Sequence, residues 1–143
     1  MPQAIGVCAL IFNLKGEILL GKRKNSYMAG FYGLPGRRVE LNEPLQTALE
    51  REVQEETSLK LVNATYTGVI RENQNEYDFI HFIYAAKNVH GEHRLLEPEK
   101  CDAWQWFDIK KIPDLTLPAH KAAVEIYLSE ITLRDMTNYR DVL

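Results

Sequence analysis

Three carboxylates, Glu52, Glu55 and Glu56, follow one another at spacings of one, three and four residues in a stretch that no glycine interrupts. Projected at about 100° per residue over 44–57, Leu45, Ala48, Leu49 and Val53 gather on one side, predicted to face the core. Gln46, Thr47, Glu50, Arg51, Gln54 and Thr57 gather opposite, as a solvent face. The three carboxylates do not join that polar face. They prolong the apolar line, so the inward stripe turns acidic in its C-terminal half. Like charges at helical spacing repel by roughly 0.2–0.5 kcal/mol per exposed pair, and these also approach the negative end of the helix dipole. Partial burial adds a further penalty unless a cation neutralises them. A hard divalent cation relieves all of these, because Mg²⁺ takes oxygen ligands and keeps positions for water and phosphate. A solvated, Glu-rich helix is the plain alternative.

A short basic run, Lys22-Arg23-Lys24, and the pair Arg37-Arg38 precede a crowd of acids between Glu40 and Glu56. An anion-binding patch beside an acidic cluster suggests a metal bridging to a phosphate; ordinary surface charge after a strand is the plain reading of the basic run. The net charge of -3 argues against stable nucleic-acid binding, which usually needs a basic face. No apolar run approaches the ~20 residues that cross a bilayer, and the first residues lack the pattern of a signal peptide. Cys8 and Cys101, far apart and without CxxC spacing, read as two reduced, buried thiols. A cytoplasmic protein is expected, as a monomer or homodimer.

The elements that must position these groups follow from pattern. Residues 5–12 and 17–21 read as strands joined at Asn13-Leu14-Lys15-Gly16 into a hairpin. Residues 24–36, with Gly30, Gly33, Gly36 and Pro35, read as an irregular loop. The helix is predicted over 42–57, with Asn42 as its cap. Residues 59–71 and 78–86 read as strands around a polar turn at 72–76. Residues 87–100 are loop-like, 104–107 a short strand, 109–112 a turn of helix and 119–130 a second amphipathic helix. Residues 132–143 show no strong pattern, and no repeat or linker divides the chain. The expectation is one α/β (α+β) domain spanning 1–143.

Weaker candidates lie outside the acidic helix. His90-Gly91-Glu92-His93 falls in a polar loop with no helical register and reads as surface. His81 sits in an apolar strand, as a structural or pocket-lining histidine. Trp104 and Trp106 share one strand face and read as core ahead of base stacking. Tyr27, Phe31 and Tyr77 are further stacking candidates.

Residues 36–59, GRRVELNEPLQTALEREVQEETSL, resemble the Nudix box, G-x5-E-x7-R-E-U-x-E-E-x-G-U with U aliphatic. Glu43, Arg51, Glu52, Val53, Glu55, Glu56 and Leu59 fall at the family's spacing, and Leu34-Pro35-Gly36 matches the usual approach. The flanking LLGKRKNSYMAGFYGLPG and EPEKCDAWQWFDIKKIP are similar to nucleotide-hydrolysing members of the MutT type, so the resemblance covers roughly residues 4–130. It implies the Nudix fold, a mixed β-sheet sandwiched between helices, and a nucleotide as the small-molecule partner. It further implies Mg²⁺ or Mn²⁺ held by Glu52, Glu55 and Glu56, with the Gly36 carbonyl and Glu97 as further ligands and Glu40 assisting from the loop. Arg51 would orient Glu52 or pair with Glu43. Glu55, Glu56, Glu97 or Glu99 would help deprotonate the attacking water, and Arg23, with Lys22 or Lys24, would hold a phosphate. Many relatives complete the base pocket at the position of 115–120, where no side chain here specifies a base.

The implied reaction is hydrolysis of a nucleoside di- or triphosphate to a monophosphate plus phosphate or pyrophosphate, as in nucleotide-pool sanitation. The alternatives are a Nudix hydrolase of nucleotide sugars, dinucleoside polyphosphates or capped RNA, and a catalytically silent domain that binds a nucleotide or protein. Two box glycines are replaced, by Arg37 and Ser58. Ser58 is expected to take a left-handed turn after the helix, at roughly 1 kcal/mol. Arg37 is expected either to restrict the metal loop or to reach substrate phosphates.

Overall fold

The computed structural model describes residues 3–25, 28–74, 77–87, 89 and 91–137. Tyr27, Glu76, His90 and 138–143 lie outside them. The elements run β1 (Ala4–Ile11), β2 (Glu17–Arg23), β3 (Tyr32–Gly33), β4 (Gly36–Arg38), α1 (Leu45–Thr57), β5 (Thr65–Gln74), β6 (Tyr77–Ala86), β7 (Cys101–Asp108), α2 (Pro118–Ser129) and β8 (Leu133–Thr137). Two sheets form, a mixed one in the order β4-β1-β6-β5-β8 and an antiparallel one in the order β3-β2-β7.

Strand β1 is apolar on both faces, and the fold uses both. Cys8, Leu10 and Phe12 enter a core with Ile70, Ile83 and the α2 residues Ala123 and Ile126. Val7, Ala9 and Ile11 enter a second core with the α1 residues Ala48, Leu49 and Val53. The sheets therefore lie between the two helices, which is why the first strand carries no polar alternation.

The expected β1–β2 hairpin shrinks to its turn. Asn13 holds that turn, its Oδ1 accepting from the N–H groups of Lys15 at 3.0 Å and Glu17 at 2.9 Å. Beyond the single bridge Phe12–Ile18 the strands part into different sheets. Both edges of β1 are already taken, by β4 and by parallel β6.

Helix α1 starts at Leu45, not at 42. Asn42 is left-handed (φ 65°) and does not cap; Pro44 is the N-cap residue, without a side-chain bond. The turn at 40–43 is closed by Glu43, whose N–H donates to Glu40 O at 3.1 Å and whose Oε1 accepts from Glu40 N–H at 3.1 Å. Thr57, expected on the solvent face, is fully buried: its hydroxyl donates to Val53 O at 2.7 Å and accepts from Leu59 N–H at 3.2 Å. Leu59 and Leu61 fill the second core as loop residues, and β5 begins after left-handed Asn63. Residues 109–112 form a turn fastened to Asp108 rather than helix. Strand β8, in the segment without pattern, pairs in parallel with β5 through its backbone, and its side chains are largely exposed. Among the described residues no helix is long and apolar enough to cross a membrane.

Candidate active site

Helix α1 presents the acidic stripe where the sequence puts it, but the three acids part company. Ala48, Leu49 and Val53 are fully buried and fix the helix's rotation. Glu52 is buried at 7% exposure, Glu56 half-buried and Glu55 exposed.

Arg51 leans out of the solvent face to become the hub of this cluster. Its Nε donates to Glu43 Oε2 at 2.7 Å and its Nη2 to Glu43 Oε1 at 3.0 Å, a two-pronged grip that fixes the guanidinium plane. Its Nη1 then reaches Glu52 Oε1 at 2.9 Å and Glu55 Oε2 at 3.3 Å, while Glu40 lies 3.8 Å away. The hydrogen bond from Arg51 holds the Glu43 carboxyl below its usual range. Burial outweighs the same arginine at Glu52 and pushes that carboxyl up.

Glu56 faces the loop. Its Oε1 accepts the Gly36 N–H at 2.9 Å, and its backbone carbonyl accepts the Trp104 indole N–H at 3.2 Å, tying the end of α1 to β7. Burial, then the charges of Glu52 and Glu97, push the Glu56 carboxyl up to about 8, against the opposing pull of Gly36 N–H and Arg37. Gly36 is in the left-handed half of φ (134°), and a Cβ there would meet the Val7 carbonyl oxygen at 2.0 Å. Only glycine lets this loop lie against β1.

A cleft of about 530 Å³ opens between the two sheets. Glu56, Glu97, Arg23 and Lys100 line it, with Arg37 and Arg38 from β4. Further along β1 it is lined by Glu72, Tyr77, Phe79 and His81, and from α2 by His120. Cys8 lies between these groups: burial, then the charges of Glu56 and Glu72, push its thiol up to about 12, so it is inert as a nucleophile. Both Cys8 and Cys101 are free and buried.

The remaining sequence candidates divide by strand geometry. Along β2 alternate residues face opposite sides, so Gly21 and Arg23 line the cleft and exposed Lys22 does not. Lys24 pairs with Asp102 at 3.8 Å. Glu97 is 3.8 Å from Lys100. Glu99, Phe31 and Trp106 are not among the lining residues, whereas Tyr77 and Trp104 are. Trp104 and Trp106 both pack on the second core. Glu72, Phe79, Lys100 and His120 were not singled out as site residues from sequence. Glu72 had a signal: Ile70, Glu72 and Gln74 alternate on the buried face of β5, and a carboxylate there is the strand counterpart of the acidic helix stripe.

The oxygen-rich donor set, Glu52, Glu56, Glu97 and the loop at Gly36, is of the type that a hard divalent cation takes. Stability should report it. The folded state holds an extra proton on Glu56 between its ordinary 4.5 and about 8, so stability falls as pH rises through that window. His120 acts oppositely: burial, then the charges of His81 and Arg23, press its ring from 6.5 to about 3, so stability falls as pH drops through that window. Of these two groups, only Glu56 acts above pH 6.5. Metal-free protein is expected to lose several degrees of melting temperature between about pH 6.5 and 8, a loss that Glu56→Gln removes. Parallel melting curves for the two proteins over that range would contradict it.

The family model of the NUDIX domain matches residues 2–128. The chain belongs to the Nudix family. The fold superimposes on the crystal structure of a MutT NUDIX hydrolase from Burkholderia pseudomallei with a TM-score of 0.82 and 34% identity, covering 87% of this chain and 98% of that one. An oxidized purine nucleoside triphosphate hydrolase of Danio rerio is 34% identical over 103 residues, 68% of this chain and 62% of that protein. An ADP-ribose pyrophosphatase of Methanocaldococcus jannaschii is 30% identical over 122 residues, 82% of this chain and 69% of that protein. The chain thus spans under two thirds of the Danio rerio relative's length. It has the Nudix α/β fold of MutT-like members, with a mixed sheet, an antiparallel sheet and, among the described residues, two helices.

The Nudix box also explains its own departures. Ser58 is left-handed (φ 68°) at the end of α1, and its N–H donates to Gln54 O at 3.0 Å. Arg37, by contrast, is absent from the left-handed residues and pairs in register with Val7. Nothing in its backbone requires glycine, so the box tolerates arginine there while Gly36 carries the tight approach.

Proposed function

We propose that this chain is a Mg²⁺- or Mn²⁺-dependent hydrolase of nucleoside di- or triphosphates, releasing a nucleoside monophosphate with phosphate or pyrophosphate. One observation carries the reading: the carboxylates Glu56 and Glu97 stand beside Arg23 and Lys100 in one cleft, and the charges of Glu97 and of Glu52, on the same helix, both act against Glu56. Glu52, Glu56 and Glu97, with Glu55 and the Gly36 carbonyl, would hold the cation. Bound there, it would lower the pKa of water and offset charge on the phosphate oxygens.

The chain's own residues supply the rest. Arg51, locked by Glu43, fixes the Glu52 rotamer. Arg23, Lys100 and Arg37 attract and orient the polyphosphate. Of the four carboxylates considered as proton acceptor for the attacking water, Glu56 and Glu97 line the cleft.

The likeness to the ADP-ribose pyrophosphatase of Methanocaldococcus jannaschii favours a second reading, cleavage of a nucleoside diphosphate sugar. Purified protein with Mg²⁺ and a panel of nucleoside di- and triphosphates, ADP-ribose, dinucleoside polyphosphates and capped RNA, with the products identified, separates the two. Turnover confined to ADP-ribose would replace the first reading by the second. No product from any substrate would establish a silent binding domain.

Arg37→Gly is expected to raise KM for a nucleoside triphosphate about fivefold at low salt, as an exposed charge worth roughly 1 kcal/mol would, and to flatten the salt dependence of kcat/KM. Unchanged KM at every ionic strength would make Arg37 a bystander.

A further inference from the structure

Leu34, Pro35 and Gly36 bring the chain up to the carboxylates of α1, and side chains from both helices hold them there. Gly36 N–H donates to Glu56 Oε1 of α1 at 2.9 Å. Leu34 N–H donates to His120 Nδ1 of α2 at 2.8 Å. Pro35 has no N–H, and its carbonyl accepts the Ala9 N–H of β1 at 2.9 Å. Both N–H groups of the tripeptide are therefore committed to side chains, one from each helix.

Backbone bonds put His120 in reach of the loop. Just before α2, Tyr32 N–H donates to Leu115 O at 2.7 Å and Leu117 N–H to Tyr32 O at 2.9 Å, laying the start of the helix along β3. His120 N–H then donates to Leu117 O at 2.9 Å, and the ring leaves the first turn beside Gly33. A Cβ on Gly33 would stand 3.0 Å from Nδ1, so a glycine precedes Leu34 where the ring closes in. Because Nδ1 accepts, Nε2 carries the proton of the neutral ring, and Cys8 Sγ lies 3.6 Å from it. Cys8 is the residue that pairs in register with Gly36, so one ring touches both strands where they meet. With both nitrogens committed, the ring has no polar atom left for a ligand in the cleft. A soft metal on Cys8, His81 and His120, whose ligand atoms lie within 4.8 Å of one another, would have to strip the Nε2 proton and leave an imidazolate. The ring serves the loop.

We propose that His120 is a positioning residue for the cation site, fixing the Leu34–Gly36 loop from α2 as Glu56 fixes it from α1. It thereby sets where the Gly36 carbonyl stands relative to the Glu56 carboxylate. This rests on the reading of those two groups as cation ligands. A single hydrogen bond leaves a short loop free to pivot about it, whereas two from separate helices define its tilt. Leu34 is 5% exposed and His120 8%, so solvent does not replace the acceptor if the ring is removed. A buried N–H without a partner is costly, and the loop would shift off the sheet to relieve it. Glu56 would then be held to a displaced Gly36.

The test exploits the two ends of the ring. Asparagine at 120 can set its Oδ1 where Nδ1 stands and so keep the acceptor for Leu34 N–H. Glutamine can set its amide N–H near Nε2 but leaves Leu34 without that acceptor, and leucine offers neither. Mn²⁺ binding is read on nucleotide-free protein from the electron paramagnetic resonance of the unbound ion. Affinity is expected to fall roughly 10- to 100-fold in His120→Gln and His120→Leu, the usual loss when a group that orients metal ligands is removed. In His120→Asn it should stay near the wild-type value. A residue that only stabilised the fold would lower melting temperature without producing this order in Mn²⁺ affinity. Nitrogen NMR of the wild type should show His120 as the Nε2–H tautomer. The Nδ1–H tautomer overturns the proposal, as does loss of Mn²⁺ affinity in His120→Asn equal to that in His120→Gln. If His120→Leu fails to fold, the comparison of asparagine with glutamine decides alone. Mn²⁺ bound equally by wild type and His120→Gln would sink this inference and leave the cation reading standing. No Mn²⁺ binding by the wild type would sink both.

Discussion

With Mg²⁺ supplied, Glu56→Gln is expected to lower kcat for a nucleoside triphosphate by roughly 10²–10⁴-fold, the range lost when a positioned acid or base is removed. The substitution is nearly isosteric, and the amide oxygen of glutamine can still accept the Gly36 N–H that the carboxylate accepts at 2.9 Å. It also removes a charge that burial and the neighbours Glu52 and Glu97 disfavour, so metal-free variant should be no less stable than wild type at pH 8. Folding and chemistry are thereby separated. A second measurement ties the loss to cation binding: a ligand that binds only the folded state stabilises it by about 2.7 kcal/mol at a hundred times its Kd. The wild type should therefore melt later as Mg²⁺ is added, and the variant should not. Near-normal turnover in Glu56→Gln, or an undiminished Mg²⁺ effect on its melting, would sink the assignment of Glu56 to the cation.

The same carboxylate shows how far the sequence reaches. Helical projection sets Glu52 and Glu56 on the apolar line, and both are drawn inward. It sets Glu55 there as well, yet that side chain is exposed. The stripe has an edge, and a rotation of one residue step decides which side of it a carboxylate takes. The same projection turns Arg51 toward solvent; its length lets it fold back across Glu43, Glu52 and Glu55. Projection treats side chains as directions and has no measure of reach.

Elements held by backbone bonds alone were the least legible. Strand β8 leaves its side chains largely exposed, so no alternation marks it, and its partner β5 lies far off in the chain. The split of the first hairpin was equally hidden, because it depends on β4 and β6 occupying both edges of β1. The part of the cleft lined by Glu72 and His81 fell between these cases. Glu72 and His81 meet only because β5 and β6 pair in register, Ile70 opposite His81 and Glu72 opposite Phe79. Periodicity marks Glu72 as an inward acid, but nothing local says that a histidine nine residues on will hold it.

Gly36→Ala is expected to destabilise the protein by about 3 kcal/mol or more and to abolish Mg²⁺-dependent turnover in whatever fraction remains folded. Two effects add. A φ of 134° belongs to a region nearly reserved for glycine, and holding another residue in such a region takes on the order of 1–3 kcal/mol. The added Cβ would also lie 2.0 Å from the Val7 carbonyl oxygen and 2.8 Å from Cys8 Cα, both backbone atoms that no rotamer change can move aside. Strand β4 must then shift off β1, breaking the Cys8–Gly36 register and carrying the Gly36 N–H away from Glu56. Chemical denaturation gives the stability loss. Turnover normalised to the folded fraction gives the second effect, because a purely global destabilisation would leave it unchanged. Arg37→Ala, one residue on, supplies the contrast: its backbone is not left-handed, its side chain is exposed, and its stability should move by less than about 0.5 kcal/mol. Equal losses at 36 and 37 would show that the strand's position, and not the backbone conformation of Gly36, holds the loop in place.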